Sequence, residues 1–113
     1  MSNYFIKAIL LEACPYSIST NNLLKTHKLP SNIIWIKHEE KEKFKTEQIN
    51  TFPQIYLCKI NTKGNLLLGG HDDFNQFIDT FKKKTLKENN IINFMKKYDW
   101  SRKSTLRFIQ LVN

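Results

Sequence analysis

The stretch Tyr4-Phe5-Ile6-Lys7-Ala8-Ile9-Leu10-Leu11-Glu12-Ala13-Cys14-Pro15-Tyr16-Ser17 passes from an apolar run straight into the start of a helical pattern. Tyr4 to Leu11, with a single lysine, suits a strand buried on both faces of a partly parallel sheet. Pro15 fits the first position of a helix, because the N–H it lacks would be unpaired there anyway. Cys14 then falls at the N-cap. A sulfur held there meets unpaired backbone N–H groups and the positive end of the helix dipole, and both favour thiolate over thiol. Cys14 is therefore a candidate nucleophile; the alternative is a buried cysteine acting as a small hydrophobe.

Outward from this stretch, Ile18, Leu23 and Leu24 with polar residues between them predict a helix over Ser17–Lys28. It ends near Leu29-Pro30, since the residue before proline avoids helical geometry. Ile33-Ile34-Trp35-Ile36 follows as a second strand, and a helix between two strands makes them parallel neighbours. Glu39–Gln48 is charged nearly throughout and reads as a thin surface helix anchored by Phe44 and Ile49. Gln54–Ile60 and Asn65–Leu68 are strand-like runs around Asn61-Thr62-Lys63-Gly64, a hairpin signal.

Asp72–Lys83 places Phe74, Phe77, Ile78 and Phe81 at helical spacing, with acidic residues in the first turn and lysines in the last. Thr85-Leu86-Lys87-Glu88 has capping-box spacing and opens a pattern through Ile91, Ile92, Phe94, Met95 and Tyr98. Ser101-Arg102-Lys103-Ser104 reads as a break, and Leu106–Leu111 as strand or helix. The expected fold class is α/β, a four-stranded mixed sheet flanked by helices.

At 113 residues the chain fits one domain with its own core. Two cysteines, Cys14 and Cys58, and the lack of a basic segment followed by an apolar core and cleavage site point to a reduced, cytoplasmic protein. Ala8-Ile9-Leu10-Leu11 is far short of the ~20 residues of a membrane helix. The net charge of +8 is unevenly placed: residues 1–81 hold nine lysines against eight acidic residues, and residues 82–113 hold nine lysines and arginines against Glu88 and Asp99. Lysine, asparagine and isoleucine make up 41 of the 113 residues, a bias that weakens any functional reading of single lysines.

Three motifs resemble those of one family. Cys14-Pro15-Tyr16-Ser17 resembles the glutaredoxin active-site motif, Thr51-Phe52-Pro53 resembles a Thr-Val-Pro whose proline is cis and faces the active cysteine, and Leu68-Gly69-Gly70-His71-Asp72-Asp73-Phe74 is similar to the family's Gly-Gly turn followed by an acidic residue. The resemblance, to a glutaredoxin of the thioredoxin superfamily, covers residues 4 to about 84. It implies a thioredoxin-like fold over 1–84, with 85–113 a basic C-terminal extension, helical and packed on the same domain.

The resemblance also implies an activity: glutathione-dependent thiol–disulfide exchange through Cys14, acting on glutathionylated proteins or small disulfides. Glutathione is then bound by Tyr16, Thr51, Phe52, Pro53, Gly70, Asp72 and Asp73. A cis X–Pro bond lets Phe52 offer its N–H and C=O to an extended peptide, and the helix start after Gly70 offers N–H groups to a carboxylate, while Asp72 and Asp73 offer a counter-charge to the γ-glutamyl ammonium. Taken alone, those aspartates also read as ordinary helix caps.

Four departures from the family pattern shape the expectation. Ser17 stands where dithiol members have a second cysteine, which leaves a monothiol route. Leu11, with Glu12 beside it, stands where a lysine contacts glutathione and the thiolate, and a negative Glu12 nearby opposes thiolate formation. Asn50 stands where a basic residue precedes the threonine, leaving Lys41, Lys45 or Gln48 as substitutes. The stretch from Pro53 to Gly69 is longer than usual, with the excess assigned to the hairpin.

Other readings remain beside this one. Members with serine in the second motif position include carriers of a [2Fe–2S] cluster between two protomers, although Pro15 is not the residue usual in them. A redox-derived binding module is a further alternative. The basic tail could contact phosphates through Lys82-Lys83-Lys84, Lys96-Lys97 and Arg102-Lys103 while Tyr98, Trp100 and Phe108 stack on bases; the competing reading is a solvated helix face over an aromatic core. Cys58 reads as a core residue with a regulatory or resolving role as the alternative. His71 reads as a turn residue, and His27 and His38 have no zinc-site pattern around them. A monomer is expected.

Overall fold

An eight-residue run with one lysine needs cover on both faces, and the strand it forms, β1 (Tyr4–Leu11), has it. The computed structural model describes residues 3–82 and 88–113. β2 (Ser31–Ile36) pairs parallel with β1, placing Ile33 beside Ala8, and β3 (Gln54–Lys59) pairs antiparallel on the other side, placing Ile55 beside the same alanine. β4 (Asn65–Gly69) continues antiparallel from β3, so the sheet order is β2-β1-β3-β4. The helices are α1 (Pro15–Thr26), α2 (Lys41–Phe44), α3 (His71–Phe81), α4 (Glu88–Tyr98) and α5 (Arg102–Val112). This is the expected α/β class with a four-stranded mixed sheet flanked by helices.

Alternation along β1 divides its side chains between two apolar layers. Ile6, Ala8 and Leu10 join Leu24 of α1, Phe74 and Ile78 of α3 and Phe108 of α5 in the larger core. Ile9 and Leu11 turn to the opposite face, where they meet Ile36 and are flanked by Phe44, Phe52, Tyr56 and Cys14. The helical face therefore carries most of the burial.

The expected surface helix over Glu39–Gln48 is a correction. A 3-10 turn at His38–Glu40 leads into the single α-turn of α2, and the chain leaves helical geometry at Lys45. Thr46 explains the stop: its hydroxyl accepts from the N–H groups of Gln48 (3.2 Å) and Ile49 (3.0 Å), and its own N–H donates to the Ile49 carbonyl (2.8 Å). A threonine that satisfies the backbone locally removes the reason to continue a helix.

The C-terminal segment is also sharper than expected. Ser101 caps α5 by accepting from the Ser104 N–H at 3.1 Å, so the stretch read as a break begins a helix, and Leu106–Leu111 is helical. Arg102 ties α5 to α4 through Glu88 at 2.7 Å. Phe77, Phe81, Phe94, Trp100 and Phe108 pack edge to face, with Phe81 and Phe94 centroids 4.4 Å apart. Trp100 and Phe108 are buried in this cluster and have no open face to offer a base. Lys83, Lys84 and the first three residues of the expected capping box, Thr85-Leu86-Lys87, lie outside the described residues. Among the described residues no helix is long and apolar enough to cross a membrane.

Candidate functional site

Cys14 occupies the place its sequence context predicts. It is the N-cap of α1, extended (φ −96°, ψ 121°), with Pro15 opening the helix and no capping hydrogen bond from its thiol. The thiol is half-buried. A tight turn sets it there: the Cys14 N–H donates to the Leu11 carbonyl at 3.3 Å, and Ala13 holds a positive φ of 61°.

Beside this turn lies a groove of about 400 Å³. One wall is Thr51, Phe52 and Pro53, and the other is Gly70, Asp72 and Asp73 at the start of α3. Tyr16, from the first turn of α1, completes the lining together with His71. The Phe52–Pro53 bond is cis. Phe52 and Cys14 pack against the same small cluster of Ile9, Leu11 and Ile36, which links the groove to the thiol.

The second wall depends on a pair of glycines. Gly69 has φ +112°, and the Asp73 carboxylate lies where a Cβ would stand, so this position takes glycine on both counts. Gly70 is the N-cap of α3 without a side-chain cap, and a Cβ on it would come 3.7 Å from the Pro53 carbonyl oxygen across the groove. Only from Phe74 onward do the N–H groups of α3 find intrahelical acceptors, beginning with the Gly70 carbonyl at 3.1 Å. The first-turn N–H groups therefore remain as donors at the groove's edge.

All seven residues expected around glutathione line this one groove. His71, expected as a turn residue, lines it too: its Nδ1 sits 2.9 Å from Asp72 Oδ1 and its ring centroid 5.8 Å from that of Tyr16. Its position directly after Gly70, in the first turn of a helix, was the signal available in the sequence. Ser17, the last residue of the motif, does not line the groove. It is fully buried and accepts from the Leu11 N–H at 3.0 Å, so this member of the motif is directed at the backbone of β1.

No family model matches the chain. No curated protein matches it either.

None of the substitutes expected for the missing cations, Lys41, Lys45 or Gln48, lines this groove. Gln48 lines a second groove, of about 580 Å³, with Lys7, Ile9, Lys43 and Tyr56, on the sheet face that carries Ile9 and Leu11. Lys45 pairs with Glu42 at 2.7 Å, which lowers the Glu42 carboxyl below its ordinary range. Leu11 packs inward with Ile9 and Ile36. Cys58 is buried on β3, its thiol donating to Asn65 Oδ1 at 3.1 Å; burial pushes that thiol's pKa up, against a smaller opposing effect of Lys7.

A [2Fe–2S] cluster of the kind the resemblance implies would draw one thiolate, that of Cys14, from each chain. Among the described residues no three His, Cys, Asp or Glu side chains gather as a metal-holding group. The arrangement offers one accessible thiol at a helix start and a groove able to hold an extended, partly polar molecule beside it.

Proposed function

We propose that the protein has a thioredoxin-like fold and is a glutaredoxin-like enzyme that performs thiol–disulfide exchange through Cys14 alone. The observation that carries this reading is convergence: Tyr16, Thr51 to Pro53 and Gly70 to Asp73, far apart in sequence, line one groove next to the apolar cluster on which Cys14 packs.

The Cys14 thiolate attacks one sulfur of a mixed disulfide, forming a new S–S bond and expelling the other sulfur as a thiolate, which takes a proton from solvent. A second thiol, as thiolate, then attacks the adduct, restores a disulfide and returns Cys14 to its thiolate. Exchange of this kind needs only a thiolate fraction and a competent leaving group. Bound glutathione pairs its peptide with the backbone of Phe52 and sets its γ-glutamyl end at the start of α3. Ser17 and the buried Cys58 take no part. With Leu11 and Glu12 in place of a cation, turnover is expected to be slower than in members that carry the lysine.

The test is a glutathione-coupled disulfide reduction assay on wild type, Cys14→Ser and Cys58→Ser. Activity is expected to vanish with Cys14→Ser and to persist with Cys58→Ser. Turnover that survives Cys14→Ser overturns the mechanism.

A further inference from the structure

The groove beside Cys14 and the protein as a whole have opposite charge. The chain carries +8, yet the groove is lined by Asp72 and Asp73, and among the described residues no lysine or arginine lines it. His71 does not reverse this, because its Nδ1 is engaged with the Asp72 carboxylate.

The distant cations do not reach the groove. Arg107 of the basic C-terminal segment lies over the Tyr4 ring, 5.8 Å from its centroid, at the first residue of β1. Cys14 lies three residues beyond Leu11, the last residue of the same strand. At about 3.3 Å per residue the two ends of β1 are roughly 23 Å apart, more than twice the Debye length of about 10 Å at 0.1 M salt. Of the lysines on the α2 side, Lys45 is paired with Glu42, and none lines the groove. The acidic side chains that line the groove are therefore Asp72 and Asp73, with no lysine or arginine beside them in the lining.

Resting on the reading of Cys14 as the exchange thiol, we propose that the groove selects disulfides of small cationic aminothiols over anionic ones. An ammonium in the groove is attracted by both lining carboxylates, Asp72 and Asp73. It also approaches the ring of Tyr16, which is 59% exposed and able to receive a cation on its face. A carboxylate meets the same two aspartates as repulsion. Glutathione brings one ammonium and two carboxylates: its ammonium suits the aspartates and its γ-glutamyl carboxylate the first-turn N–H groups of α3, while among the described residues no lysine or arginine in the lining meets its glycine carboxylate. The reaction is the balanced exchange above: Cys14 thiolate takes one half of the disulfide, the other half leaves as thiolate and is protonated, and a second aminothiol reverses the step.

The experiment follows modification of Cys14 in the reduced full chain by intact mass, with cystamine (cationic), 2-hydroxyethyl disulfide (neutral) and glutathione disulfide (anionic). Each rate is divided by that of 2-mercaptoethanol with the same reagent, which removes intrinsic reactivity. At low ionic strength the normalised rate with cystamine is expected to exceed that with glutathione disulfide by about tenfold or more, the ratio falling toward one at 1 M salt. Asp72→Asn is expected to shrink the ratio and Asp72→Lys to invert it; the Asp72 side chain is 90% exposed, so neither change disturbs packing. A ratio at or below one, or one that ignores Asp72→Lys, overturns the selectivity while leaving Cys14 as the exchange thiol. Failure of Cys14 to react with all three overturns that underlying reading and the selectivity together.

Discussion

The buried Ser17 hydroxyl accepts a hydrogen bond from the backbone N–H of Leu11 at 3.0 Å, fastening the first turn of α1 to the last residue of β1. The bond fixes the loop Glu12-Ala13-Cys14 from both ends. A residue that looks like half of a redox motif in the sequence therefore acts as a splint that holds the other half.

Ser17→Ala removes the acceptor and leaves the Leu11 N–H buried without a partner, which costs about 1–3 kcal/mol. The expected result is a lower urea midpoint with an unchanged slope, while Cys14 stays reactive in whatever remains folded. Ser17→Cys is expected to lose stability as well, because a thiol is a weak acceptor, and not to gain dithiol activity, since the side chain is turned away from the groove. Unchanged midpoints in both variants contradict the splint.

Cys58 and Tyr56 predict how stability responds to alkali. Burial raises both above their ordinary values, Tyr56 being pushed further by the charge of a Cys58 thiolate. In the unfolded chain each group loses its proton first, so over that interval the folded state binds more protons and stability falls as pH rises. The contribution is fully present below the unfolded thiol's pKa, about 8.5, and is lost as pH climbs through the raised folded values. Denaturation midpoints from pH 7 to 11 should show this decline, flattened in its lower part by Cys58→Ala. At pH 8, iodoacetamide should label Cys14 in the native protein and Cys58 only in denaturant.

The aromatic cluster makes the C-terminal segment part of the core. Phe108 is fully buried against Phe74, Phe77, Phe81 and Trp100. Phe108→Ala is expected to cost about 3–5 kcal/mol, a large share of the roughly 5–15 kcal/mol that holds a domain together. The milder Phe108→Leu keeps a measurable folded state for comparison. A chain ending before α4 should lose cooperative unfolding, and a sharp transition in such a truncation contradicts this placement of the segment.

How far the sequence reaches can be seen in single residues. β1, the hairpin and α3 are legible because their periods are strong and their ends carry Pro15, Gly64 and Gly70. The residues that line the groove are named in the sequence only through a family resemblance of short motifs at element boundaries. The Glu39–Gln48 helix fails because Thr46 turns its hydroxyl onto its own backbone, a local bond that charge patterning does not reveal. The role of Ser17 is hidden because a serine after a cysteine and a proline has no feature of its own showing that its partner is six residues earlier on a strand. The tail aromatics are ambiguous in sequence because stacking platforms and core residues are the same residue types.

Gly69→Ala tests the second wall of the groove. At φ +112° an alanine is strained, and its methyl group takes the place held by the Asp73 carboxylate. We expect a loss of about 1–3 kcal/mol from the backbone, near 4–8 °C of Tm for each kcal/mol in a domain of this size. Asp73 must also move, so selectivity between cystamine and glutathione disulfide should weaken together with stability. Gly64→Ala, where nothing lies within 4 Å of the added methyl, is the control and should change neither.

Ala13 offers the opposite kind of test, since here a substitution should help. Its φ of 61° puts a residue with a Cβ in the left-handed region directly before Cys14, at a cost of about 1–2 kcal/mol. Glycine removes that cost but gives the unfolded chain extra freedom worth roughly 0.5–1 kcal/mol. The balance for Ala13→Gly is a gain of up to about 1.5 kcal/mol, read as a higher urea midpoint. Ala13→Val should lose stability, because a β-branched side chain is worse still in this conformation. If the strained turn also holds Cys14 in place, Ala13→Gly should slow alkylation of Cys14 relative to the gain in stability, whereas equal reactivity would assign the positioning to the Ser17–Leu11 bond alone.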